Sequence, residues 1–127
     1  MASFTRIVFF LLLIASVMRS CDRKLVVVTA SEAEKPITLR RGDTVVVKLP
    51  VTPATGYMWH LRSELSALRQ VGSSQFETLE PGSGKPGAVE VQTFRFAAEQ
   101  KGNERLRFTY GRQMDTLKEV TFAITVQ

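Results

Sequence analysis

A single cysteine, a single histidine and a single tryptophan leave this 127-residue chain short of the side chains on which most covalent chemistry depends. With Cys21 alone, no disulfide can close within the chain, so the fold must be held by its apolar core. His60 stands beside Trp59 without a nucleophile or base in motif spacing, and no cluster of His, Cys or paired acids has metal-ligand spacing. These absences argue against an enzyme, a metal site or a bound cofactor. The stretch Gly82–Gly87 contains Gly84-Lys85, as a phosphate loop would, but Pro86 stands where Ser or Thr is required and Leu79 where the first Gly belongs. Arg41-Gly42-Asp43 spells an adhesion tripeptide, yet a turn between two strands needs just such residues.

Long hydrophobic runs are also scarce. The one present, Ile7 through Met18, follows Arg6 at the extreme N-terminus and falls short of the ~20 residues a spanning helix needs. It reads as an export signal, residues 1–20, followed by one domain over 21–127. Cys21 directly after this run is the position of a lipid-modified first residue in a bacterial lipoprotein, although Arg19 fits the usual preceding pattern poorly. The alternative is an ordinary cleaved signal and an incidental thiol, and both readings stay open. The expected location is accordingly outside the cytoplasm: periplasmic, lipid-anchored to a membrane, or secreted.

Charge nominates no partner. The net charge is +5, and removing Arg6 and Arg19 with the signal leaves 15 basic against 12 acidic residues, about +3. Arg40, Arg41, Lys48, Arg62, Arg69, Arg95, Arg105 and Arg107 are scattered, mostly at solvent-phase positions, which is a solvated surface and not a nucleic-acid stripe.

What the chain does have is alternation. Short apolar-alternating runs are separated by turn residues every ten or so positions, predicting an all-β, immunoglobulin-like sandwich. Strands are expected at 25–29, 36–39, 44–49, 57–62, 76–79, 89–97, 104–110 and 118–126. Val45, Val47 and Leu49, then Leu106, Phe108 and Tyr110, then Val120, Phe122, Ile124 and Val126 fall on core faces, with Arg105, Arg107 and Thr109 pointing away. The apolar phase slips between Val91 and Phe94, which predicts a β-bulge near Gln92-Thr93. Ser63–Gln70 reads as one or two helical turns capped by Ser63. Trp59 is expected in the core, packed on aliphatic and Phe side chains.

Between the strands at 44–49 and 57–62 lies Thr52-Pro53-Ala54-Thr55-Gly56-Tyr57-Met58-Trp59. Pro locks φ near −65° and Gly permits positive φ, so this loop should be stiff and specifically shaped. It resembles the first inhibitory loop of chagasin-type inhibitors of papain-like cysteine peptidases, Asn-Pro-Thr-Thr-Gly-Tyr/Phe-x-Trp, with Thr52 in the Asn place and Ala54 in the first Thr place. The family's second loop is Gly-x-Gly-Gly before a Thr-x-x-Phe-x-Phe strand, and Gln92-Thr93-Phe94-Arg95-Phe96 is similar to that strand. Two registrations of the loop itself remain: Gly87-Ala88-Val89-Glu90, with Glu90 in the last Gly place, or Gly84-Lys85-Pro86-Gly87, with about three extra residues before the strand. The third motif, Tyr-x-Arg-Pro-Trp, has its counterpart in Tyr110-Gly111-Arg112-Gln113-Met114, where Gln113 replaces Pro and Met114 the aromatic.

The resemblance spans about Leu25 to Val126 and implies a monomeric inhibitor, with three loops at one end of the sandwich occluding the peptidase cleft. It implies that the first loop meets the catalytic centre, with Thr55 as a short polar contact and Tyr57 as a buttress, while Arg112 makes charge-assisted hydrogen bonds on the rim. Apart from the resemblance, each loop reads as a β-turn, and the domain as an exported module binding a non-peptidase partner.

Overall fold

The computed structural model describes residues 22–78 and 90–127. The expected signal, Cys21, Gly84, Gly87 and Ala88 lie outside them. No helix among the described residues is long and apolar enough to cross a membrane.

Among the described residues nine strands form two sheets: β1 (Leu25–Thr29), β2 (Ile37–Leu39), β3 (Thr44–Val51), β4 (Met58–Leu61), β5 (Leu68–Gln70), β6 (Gln75–Thr78), β7 (Glu90–Ala98), β8 (Gly102–Arg112) and β9 (Asp115–Val126). One sheet runs β1-β3-β7-β5, with β6 also on β7, and the other runs β2-β9-β8-β4. β1 on β3 and β2 on β9 are parallel, while the remaining pairs are antiparallel. This is the immunoglobulin-like sandwich the alternation predicts.

The inward residues are those the period-two pattern selects. Val45, Val47 and Leu49 of β3 join Leu106 and Phe108 of β8 and Phe122, Ile124 and Val126 of β9 in one buried apolar core. Phe108 is its hub, with ring centres of Phe94, Phe122 and Phe96 at 4.8, 6.0 and 6.2 Å. Tilted and edge-on pairs of this kind add to the area they bury. Pro50 lies beyond the last β1–β3 pair, Thr29 with Lys48, so its missing N–H breaks no bond to β1.

Three local expectations fail, two because a polar side chain reaches far along the sequence and one because a tyrosine stands opposite Trp59. The β3–β7 register is continuous from Thr44–Ala97 to Val51–Glu90, with no bulge at Gln92-Thr93. Gln92 simply occupies a core position, 2% exposed, in phase with Phe94 and Phe96. Its amide accepts from the Trp59 N–H (2.8 Å) and donates to the Trp59 carbonyl (3.0 Å) and to Ser74 Oγ (3.1 Å). Strand β4 is an edge, paired only with β8, and Gln92 supplies from the opposite sheet the backbone partner that Trp59 lacks.

Residues 63–70 are not helical, and their last three form β5. The Ser63 hydroxyl accepts from the Arg107 N–H, and buried Glu104 draws in Ser66 N–H (2.9 Å), Ser66 Oγ (2.7 Å) and Ala67 N–H (3.0 Å). A carboxylate thus holds a segment that Ser63 was expected to cap. Trp59 is buried as expected, but its ring rests on Tyr110 (centres 5.0 Å) and its indole N–H donates to the Pro50 carbonyl (2.8 Å). No Phe ring takes that place, because Tyr110 is its direct partner on β8.

Arg41-Gly42-Asp43 is a turn with no accessible acid. Asp43 is 5% exposed, and its carboxylate accepts from the Arg40 N–H (2.8 Å) and the Lys24 N–H (3.0 Å). Those two bonds, Arg40 first, hold its pKa below the ordinary 3.8 against the opposing effect of burial.

Candidate functional site

Strand register brings the stems of all three loops to one end. Val51, where the first loop leaves β3, pairs with Glu90, where β7 begins, and Thr78 at the end of β6 pairs with the same residue. On the other sheet Met58 pairs with Gly111, and Arg112 with Asp115 closes the β8–β9 hairpin.

The first loop is a 3-10 turn over Pro53–Thr55, with Pro at its start and Gly56 left-handed at its end (φ 80°, ψ 0°). Thr55 N–H donates to the Thr52 carbonyl (3.1 Å), and Gly56 N–H to that of Pro53 (2.9 Å). The Thr55 hydroxyl also donates to the Thr52 carbonyl (2.6 Å) and lies 3.4 Å from the Tyr57 N–H. That bond fixes the turn, while the Thr55 side chain stays exposed on the crest with its oxygen still able to accept. Ala54, Thr55 and Gly56 form the exposed crest.

Beneath the crest is an aromatic ladder. Tyr57 stacks on Tyr110 (centres 5.8 Å), and Tyr110 meets Trp59. Thr52 Oγ1 lies 3.4 Å from the Tyr110 hydroxyl. Two cations close the ladder: Arg112 sits 5.3 Å from the Tyr57 ring centre, and Lys118 Nζ sits 5.0 Å from that of Tyr110 and 5.9 Å from that of Trp59. Cations over aromatic faces gain from the ring quadrupole. The Arg112 stem also crosses Gly56, where an added Cβ would come within 3.0 Å of Arg112 Cδ. Arg112 therefore binds the third loop to the first.

The third loop is a two-residue hairpin tip, Gln113-Met114, with Gln113 at φ 53° and Met114 97% exposed. Proline is confined to φ near −65° and cannot occupy this Gln113 conformation. The departure from the Pro-aromatic motif is thus a different turn, not merely two different side chains. Directly below, a Cβ on Gly111 would overlap the Asp115 carbonyl oxygen, and the ladder slips there, with Tyr110 opposite Lys118 but Gly111 opposite Thr116.

Sequence reasoning singled out Thr52–Tyr57 and Arg112–Met114, and the structure brings them together through Arg112 on Gly56 and Tyr57. It missed Lys118, the bulge at Gly111, and Gln92. A glycine inside a strand pattern was the available signal for the bulge. Among the described residues no group of three His, Cys, Asp or Glu is arranged to hold a metal ion.

The sequence profile of the Chagasin family peptidase inhibitor I42 matches residues 38–126, from β2 to the end of β9. The chain belongs to the chagasin family. Its members are inhibitors and not enzymes, in keeping with the scarcity of reactive side chains. No curated protein sequence matches this chagasin-family chain. Among solved structures, it is similar to the cysteine protease inhibitor EhICP2 from Entamoeba histolytica, with TM-score 0.74 and 15% identity over 84% of this chain and 98% of that one. It is also similar to Amebosin, with TM-score 0.65 and 19% identity over 83% and 98%. A third is PbICP-C, solved in complex with falcipain-2, with TM-score 0.53 and 14% identity over 83% and 91%. At such identities these likenesses establish a common fold.

Proposed function

We propose that this chagasin-family chain is a reversible, tight-binding inhibitor of papain-like cysteine peptidases, occluding their cleft with Thr52–Tyr57. In this reading Gly84, Gly87 and Ala88, with Arg112, Gln113 and Met114, contact the peptidase on the flanks of the cleft. The observation that carries this reading is the first loop itself: a Pro-initiated, Gly-terminated turn closed by its own hydrogen bonds and braced by Arg112 and Tyr110. A wedge ordered before binding loses less conformational entropy on entering a cleft. EhICP2 is itself a cysteine protease inhibitor, and PbICP-C is seen with falcipain-2, which supports the same class of target here.

The Thr55 hydroxyl, which donates to the Thr52 carbonyl yet remains exposed, refines the mechanism. The crest offers Ala54, the Gly56 backbone and the outer face of Thr55 to the catalytic centre, while Tyr57 supports them from below. Titration of papain and a cathepsin-L-type enzyme tests the reading. Stoichiometric, competitive loss of activity with the inhibitor's mass unchanged supports it. Cleavage at Thr55–Gly56 with recovery of activity marks a substrate, and no effect at high micromolar concentration marks a module with another partner. The chain is proposed to work as an exported monomer. Detergent partition of the mature protein, with and without Cys21→Ser, separates a lipid-anchored form from a periplasmic or secreted one.

A further inference from the structure

The bulge at the head of the β8–β9 hairpin has a product. Between the pairs Tyr110–Lys118 and Gly111–Thr116, β9 carries one residue with no partner opposite it, Leu117. Further along β9, Val120, Phe122, Ile124 and Val126 share one parity and turn inward, and Lys118 continues it with its amine over the Tyr110 ring. Leu117 has the other parity and is 61% exposed. Leu117 keeps the outward parity of Glu119 and Ala123, but the bulge leaves it without a residue opposite it on β8, and Gly111 beside it has no room for a Cβ.

Leu117 is not alone. Met114, at the tip of the same hairpin, is almost wholly exposed, and Arg112 ties that hairpin to Gly56 and Tyr57. Leu25, also exposed, pairs with Thr44 at the start of β3, the end of the sandwich away from these loops. We infer that Leu117 and Met114, two exposed apolar side chains of the β8–β9 hairpin, form a two-point apolar grip that seats on an apolar wall of the target peptidase's cleft beside the first loop. This rests on the inhibitor reading above and names a specificity-determining residue outside the three loops. Two aliphatic contacts on one rigid hairpin take over the burial that a single aromatic at the Met114 position would provide, and they favour a flat aliphatic wall over a slot shaped for a ring. Close contacts of this kind act mainly on residence time and little on encounter.

The test measures association and dissociation of the unmodified protein, Leu117→Thr, Leu117→Asp and Met114→Ala on papain and a cathepsin-L-type enzyme, with thermal melting of each form. Thr suits an exposed strand position, so Leu117→Thr keeps the assay informative even if the charged variant folds poorly. The expected result is dissociation at least fivefold faster for Leu117→Thr and Met114→Ala, association within twofold, and melting unchanged. Dissociation within twofold of the unmodified protein on both enzymes overturns the grip while leaving the inhibitor reading intact. Loss of affinity matched by a lowered melting temperature assigns Leu117 a structural role and also overturns it. Absence of inhibition by the unmodified protein defeats the inhibitor reading first.

Discussion

Arg112 lies across Gly56 and Tyr57, its guanidinium 5.3 Å from the tyrosine ring centre and its stem against the one glycine of the first loop. Two loops from distant parts of the chain thus brace each other before any target arrives. An exposed cation–π contact is worth about 0.5–1 kcal/mol. A double-mutant cycle of Arg112→Gln and Tyr57→Leu on peptidase affinity is expected to show a coupling of about that size. Strictly additive losses would mean the two loops act separately.

Gly56 should tolerate no branched side chain. At φ 80° a β-branched residue is strained by roughly 1–3 kcal/mol, and its Cβ would also press on Arg112. Gly56→Val is expected to weaken inhibition at least tenfold while circular dichroism remains β-rich. Undiminished affinity would show that the turn is built another way.

The tip of the third loop makes an asymmetric prediction. Gln113 holds φ 53°, a region that costs an L-residue roughly 1–2 kcal/mol and glycine almost nothing. Gln113→Gly should therefore raise the denaturant midpoint, and Gln113→Pro should lower it, despite matching the family motif. Met114→Trp alone, without the proline, is the change expected to slow dissociation on targets with an aromatic-sized slot.

Gln92 is expected to be among the costliest polar residues to replace. Gln92→Leu orphans the Trp59 N–H and carbonyl at an unpaired strand edge, at about 1–3 kcal/mol for each group left buried. Urea unfolding measures this, and a loss below 0.5 kcal/mol would mean water replaces the amide.

Asp43 sets an acid limit. Its folded pKa lies below the ordinary 3.8, so its contribution to stability is complete above that value and is lost as pH falls through the folded pKa. Asp43→Asn should lower stability at neutral pH and flatten its decline under acid. Denaturant midpoints between pH 7 and pH 2 compare the two forms, and parallel curves would show that other carboxylates govern acid unfolding.

The parts legible in the sequence are those governed by period and punctuation. Alternation identified Val45, Val47, Leu49, Leu106, Phe108 and the inward residues of β9, and Pro-x-Thr-Gly identified the first loop as a shaped turn. What failed to show depends on a single long-range side chain. Gln92 looked like a break in the apolar phase because its purpose, completing Trp59 from 33 residues away, has no local signature. Glu104 likewise reads as a surface acid until Ser66 and Ala67 are brought to it across 38 and 37 residues. The Tyr110–Gly111 slip was invisible for a different reason. Strand pairing there is decided by the space between two backbones, and only the glycine hinted at it.

The Gln92 amide has one more consequence. It rises from a strand of one sheet and fastens to the backbone of the other, close to where all the loop stems emerge. If the sheets slid along their strands, that attachment would tear. The first loop is rooted in both sheets and the β8–β9 hairpin in one, so the span between their tips is gauged by the interior and not by the loops. On the proposed inhibitor reading such a molecule works like fixed-jaw callipers, set for clefts of one width, so that changing what it fits means altering the tips.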